Sequence, residues 1–169
     1  MRLALVVSRY HAFVTDRLEA GARARLREGG LADSDIVTFG VPGAFEIPQA
    51  ASKVAGAGGW DAIVCLGCLI RGETPHFDYI AQAVAQGLTR AAQQTGVPMA
   101  FGVLTTNTAE ESLARAGDGP ANKGREAASA ALEMAALYAT MGPAESGAAA
   151  PGAAAHGPAT TAAPVKAST

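Results

Sequence analysis

From Ile70 to Phe77 the chain reads Ile70-Arg71-Gly72-Glu73-Thr74-Pro75-His76-Phe77, an apolar run that breaks at a glycine and leads into a helical pattern. The order predicts a strand, a turn and a helix start, with Thr74 as N-cap and Pro75 at the first helical position. The first backbone N–H groups of a helix have no acceptor within it, so such a start is a ready anion site. His76 then falls in the first turn, where the positive helix end disfavours the imidazolium form. A neutral imidazole can accept a proton at pH 7, which makes His76 the first candidate for acid–base chemistry. Taken from this segment alone, it serves equally as a capping or solvated histidine.

A second group, Arg115, Lys123 and Arg125, flanks the Gly-rich stretch Ala116-Gly117-Asp118-Gly119-Pro120-Ala121-Asn122-Lys123-Gly124. One arginine beside a backbone nest can hold a phosphate, each charge-assisted bond contributing roughly 1.5–3 kcal/mol. The same residues also suit a solvated helix end. Cys65 and Cys68 form a Cys-Leu-Gly-Cys pair, but a zinc site needs two more ligands, and neither a second cysteine pair nor a closely spaced histidine pair is present. No metal is expected. Because the pair lies in an apolar strand run rather than at an exposed helix start, buried and unreactive thiols are expected. Gly-x-Gly-x-x-Gly, the phosphate-binding P-loop and the Gly-x-Ser-x-Gly nucleophile elbow are all absent, which removes three familiar nucleotide and acyl-transfer chemistries.

The elements that must position these residues alternate. Short apolar runs at Leu3 to Ser8, Asp35 to Gly40, Asp61 to Leu69 and Pro98 to Thr105 read as strands buried on both faces. Between and after them, Val14 to Glu28, Ile47 to Ala55, Pro75 to Thr95, Thr108 to Ala116 and Asn122 to Thr140 read as helices. Phe77, Ile80, Val84, Leu88 and Ala91 recur at spacings of three and four, which places them on one helical face. The pattern is that of βαβ units with right-handed crossovers, giving a three-layer α/β/α sandwich around a four-stranded parallel sheet. In open sheets of this kind ligands bind outside the carboxyl ends of the strands. The segments to watch are therefore Arg9-Tyr10-His11, Val41 to Glu46, Ile70 to His76 and Leu104 to Asn107.

The chain has 169 residues, 17% of them charged, and a net charge of −2. That length suits one domain with a core of its own. Dispersed arginines and a near-neutral balance leave no electrostatic footprint for nucleic acid. Leu3 to Val7 is too short for the core of a secretory signal, and no run approaches the roughly 18 apolar residues of a membrane span, so no membrane partner and a cytoplasmic location are expected. From Gly142 to Thr169 the composition collapses to Ala, Pro, Gly, Ser and Thr with few exceptions, which predicts a disordered tail after a folded domain over 1–141. His156 in that tail is expected to be solvated.

Gly43-Ala44-Phe45-Glu46-Ile47-Pro48, Leu69 to Tyr79, Phe101-Gly102-Val103-Leu104-Thr105-Thr106 and Asn122-Lys123-Gly124 occur in one order. This combination resembles the lumazine synthase family of riboflavin biosynthesis, over roughly Arg2 to Met141. The resemblance implies a flavodoxin-like fold and a transferase that needs no cofactor. It also implies the small-molecule substrates 5-amino-6-(D-ribitylamino)uracil and 3,4-dihydroxy-2-butanone 4-phosphate, condensed to 6,7-dimethyl-8-ribityllumazine with release of phosphate and water. It places Tyr10 against the pyrimidine ring, with Ala44, Phe45 and Glu46 on the ribityl chain and Cys68, Leu69 and Ile70 lining the site from the strand end. Gly72, Glu73 and Thr74 become the turn that receives the phosphate, and His76 the acid–base residue. Phe101, Arg115 and Lys123 would reach in from a neighbouring subunit, with Arg115 on the phosphate.

The implied assembly is a homopentamer or a 60-subunit shell of pentamers, with riboflavin synthase as the enclosed partner of the shell form. Two departures bear on it. The chain reaches its first strand at Leu3, without the leading strand that many members pair with a neighbour's sheet, so a less firmly held pentamer is expected. The turn Gly117-Asp118-Gly119-Pro120-Ala121 has the length found in shell-forming members but lacks their lysine. Two other classes stand beside the synthase: a non-catalytic lumazine or flavin binder or a shell protein that has kept the fold, and a flavodoxin-like redox protein using Cys65 and Cys68.

Overall fold

The computed structural model describes residues 1–142. All of the expected tail except Gly142 lies outside the described residues. Strand β1 (Leu3–Ser8) is followed by helix α1 (Ala12–Glu28), β2 (Ile36–Val41), α2 (Ile47–Gly56), β3 (Ala62–Ile70), α3 (His76–Thr95), β4 (Met99–Thr106), α4 (Ala109–Arg115) and α5 (Lys123–Met141). Short 3-10 turns at Asp33–Asp35 and Ala44–Glu46 lead into β2 and α2. All strand pairs are parallel, in the order β2-β1-β3-β4. The flavodoxin-like three-layer sandwich expected from the sequence is the fold observed.

Side-chain alternation along the strands divides the core. Leu3, Leu5, Val7, Val64, Leu66 and Leu104 pack with Val14, Leu18, Ala22 and Leu26 of α1 and Ala127, Ala128, Ala131 and Ala135 of α5. Ala4, Val6, Ile63, Cys65 and Val103 face the other way, onto Ile47, Ala51 and Val54 of α2 and Val84 and Leu88 of α3. Burial on both faces explains the apolar run Leu3 to Val7 of β1, all six residues of which, Ser8 included, are buried.

Helices α1 and α5 cross at very short range. A Cβ on Gly124 would lie 2.0 Å from the Leu18 carbonyl oxygen, and one on Gly21 2.3 Å from Oδ1 of Asn122. Only glycine permits that approach. Asn122, almost wholly buried, uses it: Oδ1 accepts from the backbone N–H of Gly124 and Arg125, while Nδ2 donates to the carbonyls of Arg17, Ala116 and Gly117. One side chain thereby caps α5, holds α1 and fixes the turn after α4.

Most expected elements shift by one or two residues at their ends. The larger difference is at α3, where Pro75 rather than Thr74 occupies the cap position and no side chain caps the helix. Pro75, at φ −67 and ψ 1, is not yet helical, and its carbonyl is the one that accepts from Asp78 and Tyr79 in the first turn.

Candidate functional site

Because β1 connects leftward to β2 while β3 connects rightward to β4, the strand order reverses between β1 and β3. The crevice at the carboxyl ends of two such strands is where an open α/β sheet binds its ligands. The structure has a cleft of about 610 Å³ there. Tyr10 and His11 come from the end of β1, Gly43 to Glu46 from the turn after β2, and Leu69, Ile70, Gly72, Thr74 and His76 from the end of β3 and the start of α3. Phe77 and Ile80 of α3 also line it. Tyr10 and Phe45 remain largely exposed although they are large and aromatic, and are thus available as platforms for a ring.

The turn that carries Gly72, Glu73 and Thr74 is bracketed by its own flanks. Both terminal nitrogens of Arg71 donate to the carboxylate of Asp78, at 3.1 and 2.9 Å, and the guanidinium lies 4.3 Å from the centre of the Phe77 ring. The backbone N–H of Arg71 donates to the Thr106 carbonyl at 2.9 Å. The Arg71 hydrogen bonds hold the Asp78 carboxyl below the ordinary carboxylate value. Arg71 is thereby engaged in shaping the turn, and the uncapped start of α3 is left facing the cleft.

A second cleft, about 320 Å³, runs along β4, whose outer side is a free sheet edge. Phe101, Arg115, Lys123 and Glu126 line it, with Ala127 and Ala130 from α5. Asn122 is what brings them together, because its bonds tie the residues just after Arg115 to the start of α5 that carries Lys123. Arg115 donates to the carbonyl of Glu111 at 2.9 Å, whereas Lys123 pairs with Glu126. Arg125 turns away to Glu28 on α1, at 2.5 Å, and the phosphate-holding role open to it in the sequence has no support. A third and larger groove, about 740 Å³, follows α2 past Gln49, Ser52, Lys53 and Gly56 and reaches the strand ends only at Val41, with Glu46 from the turn before α2.

Of the expected site residues, Tyr10, Ala44, Phe45, Glu46, Leu69, Ile70, Gly72, Thr74 and His76 come together in the first cleft, and Phe101, Arg115 and Lys123 in the second. Glu73 is exposed on the turn without lining either cleft. Cys68 does not present its side chain to the first cleft: it is buried on the α1–α5 face of the sheet and donates to Oγ of Ser112 at 3.3 Å. Cys65 lies on the opposite face, since a spacing of three along a strand reverses direction. The thiols cannot meet as a redox pair, and burial pushes the Cys65 thiol up to about 12. Neither is expected to react with a thiol reagent in the native protein, a result checked by comparing labelling with and without denaturant. Among the described residues no cluster of three His, Cys, Asp or Glu side chains is placed to hold a metal ion, and no helix is long and apolar enough to cross a membrane.

His11, which the sequence placed in a strand-end segment without a role of its own, lines the cleft together with Gly43, Phe77 and Ile80. Its signal was positional only: a histidine at the strand-to-helix turn, a residue type that tolerates left-handed backbone better than most. A family model described as 6,7-dimethyl-8-ribityllumazine synthase matches residues 1–139 of the chain.

Proposed function

The chain belongs to the 6,7-dimethyl-8-ribityllumazine synthase family, a transferase family of riboflavin biosynthesis, and from that membership we propose that it condenses 5-amino-6-(D-ribitylamino)uracil with 3,4-dihydroxy-2-butanone 4-phosphate. One observation carries the detail. The cleft with the aromatic platforms, Glu46 and His76 contains no lysine or arginine, while Arg115 and Lys123 sit with Phe101 in a cleft that shares no residue with it. A substrate pair made of a flat ring and a phosphate needs both kinds of surface. We therefore read the clefts as two halves of one site, joined when the β4 edge of one subunit meets the strand ends of the next.

In that site Tyr10 stacks on the pyrimidine, base–aromatic stacking elsewhere being worth about 1–3 kcal/mol. Glu46 accepts from the ribityl hydroxyls beside Ala44 and Phe45. Cys68, Leu69 and Ile70 contribute the strand end against the ring, in the case of Cys68 through its backbone. Gly72, Glu73 and Thr74 present the turn and the uncapped start of α3 to the phosphate, and Arg115 with Lys123 approaches it from the neighbour, with Phe101 against the ring. The substrate amine is the nucleophile. It attacks the ketone carbonyl and an imine forms with loss of water; phosphate then leaves, and the second nitrogen closes the ring by attacking the remaining carbonyl, with loss of a second water. Every step moves protons, and none needs a covalent bond to the enzyme.

Orientation supplies most of the acceleration, since effective molarities reach 10⁵–10⁸ M, while one acid–base group adds about 10²–10⁴-fold. His76 is solvent-exposed at the mouth of α3, where water can take over part of its proton traffic. His76→Ala is therefore expected to retain measurable turnover at a rate lower by about one to two powers of ten, at the weak end of general acid–base effects. Steady-state kinetics checks this, and a variant with no activity above background would contradict it.

The assembly that joins two half-sites cyclically is a ring of identical subunits, here a homopentamer or a 60-subunit shell of such rings enclosing riboflavin synthase in the cytoplasm. Light-scattering mass and lumazine fluorescence, measured in the same fractions after adding both substrates, test the whole reading. Turnover in a pentamer or larger is expected. A monomer that turns over would remove the shared site, and an assembly that binds lumazine without forming it would make the protein a binder.

A further inference from the structure

His11 is the only non-glycine residue with positive φ among the described residues, at φ 60 and ψ 46. Left-handed backbone at such a residue persists where its surroundings over-determine it. Here both flanks are tied. On one side the backbone N–H groups of Arg9 and Tyr10 donate to the carbonyls of Val41 and Pro42, at 2.8 and 3.1 Å. On the other, the His11 carbonyl accepts from Val14 and Thr15 at the start of α1, at 2.9 and 3.1 Å.

The strained residue carries a ring wedged between two others. The His11 and Tyr10 rings meet edge to face at 4.5 Å and 65°, and the His11 and Phe13 rings at 5.7 Å and 84°. Burial holds the His11 imidazole below the ordinary histidine value, so the ring is neutral at pH 7 and behaves as an aromatic neighbour rather than a cation. Tyr10, by contrast, is 66% exposed, and the His11 ring is the aromatic neighbour packed against it among the described residues. An exposed side chain that must stack on a ligand loses rotamer freedom on binding, and a platform ordered beforehand avoids that loss.

Resting on the reading of this cleft as the pyrimidine half-site, we propose that His11 is a positioning residue that holds the Tyr10 ring in place as the stacking platform for the pyrimidine. It acts through Tyr10 and takes no part in the chemistry. Affinity for the ring-bearing ligand then depends on His11, and handling of the phosphate-bearing substrate does not.

The test titrates 6,7-dimethyl-8-ribityllumazine into the full-length assembled protein and compares His11→Asn with His11→Phe. Asparagine tolerates the left-handed backbone but lacks the ring, whereas phenylalanine keeps an aromatic edge. His11→Asn is expected to bind lumazine about tenfold more weakly, the size of one aromatic pair, and to raise KM for the pyrimidine similarly. KM for the butanone phosphate and kcat stay as in the parent, and His11→Phe recovers most of the affinity. In a Tyr10→Ala background His11→Asn should add no further loss. Undiminished loss there would mean direct ligand contact and would overturn the positioning role, as would parental affinity in His11→Asn. Failure of the parent protein to bind lumazine is a different result, which removes the pyrimidine half-site and this inference with it.

Discussion

Arg115→Ala should lower kcat/KM by about 10²–10³-fold, with most of the loss in the use of the phosphate-bearing substrate, because two charge-assisted bonds at roughly 1.5–3 kcal/mol each disappear. The choice of this cation over its neighbours follows from what each already does. Lys123 is paired with Glu126 and Arg125 with Glu28, so their charges are partly answered within the chain. Arg115 ends α4, is exposed, and has the Glu111 carbonyl as its one internal partner among the described residues. Most of its donor fork is free for an incoming dianion. Arg115→Lys should recover only part of the loss, because an ammonium restores the charge without the planar fork.

The same variant tests the shared site. Arg115→Ala leaves the Tyr10 cleft intact, and a Tyr10→Ala/Glu46→Ala double variant leaves the β4-edge cleft intact. Assembled together in equal amounts, the two should regain activity in about one site in four, since each site draws its halves independently from adjacent subunits. Co-assembled rings no more active than the sum of the separate variants would place both halves of the site within one chain. Parental kinetics in Arg115→Ala would remove the residue from the phosphate altogether.

Asn122→Ala is the second change with a large expected effect, and it acts on the fold. The side chain closes five hydrogen bonds of 2.8 to 3.2 Å from a nearly solvent-free position. Losing an N-cap costs about 1 kcal/mol, leaving the buried Ala116 carbonyl unpaired adds about 1–3 kcal/mol, and the half-buried carbonyls of Arg17 and Gly117 lose about 0.5 kcal/mol each, so a loss of about 3–5 kcal/mol is expected. For a chain of this size that lowers the melting temperature by about 10 °C. Aspartate in its place keeps the two cap bonds and loses the three donated ones, and should fall between. A melting temperature within a degree or two of the parent would show that water or a shifted backbone satisfies these groups. Because Asn122 also couples the Arg115 turn to the Lys123 helix start, the folded fraction of the variant should use the phosphate substrate less well.

The parallel sheet was legible because strands buried on both faces must be apolar along nearly their whole length, as Leu3 to Val7 is, and the helices because their apolar residues recur at helical spacing. The boundaries were less so. Thr74 looks like an N-cap by residue type, but the first carbonyl to accept from the helix is that of Pro75, bonded by Asp78 and Tyr79, so the helix starts at His76. Strand parity explains Cys68: a residue can belong to a motif that lines a cleft and still point to the other face, where it meets Ser112. Composition and motif also leave open which residues share a cleft on one chain. That depends on β4 lying on the far side of β3 from β1, a property of strand order rather than of any segment. His11 was legible as a position at the end of the first strand but not as a strained residue, because its distinction is a dihedral angle, and no residue pattern encodes one.

The pairing of α1 with α5 joins the two ends of the described chain, and this gives folding an order in time. Val14, Leu18, Ala22 and Leu26 are covered in the finished protein by Ala127, Ala128, Ala131 and Ala135. During synthesis the first four emerge long before the last four exist. At about 5–20 residues per second the interval is on the order of ten seconds, during which an apolar helix face and the central strand beneath it lack their cover. The nascent chain cannot close its first core until it is nearly complete, and over that interval its yield depends on what keeps that face from sticking to anything else.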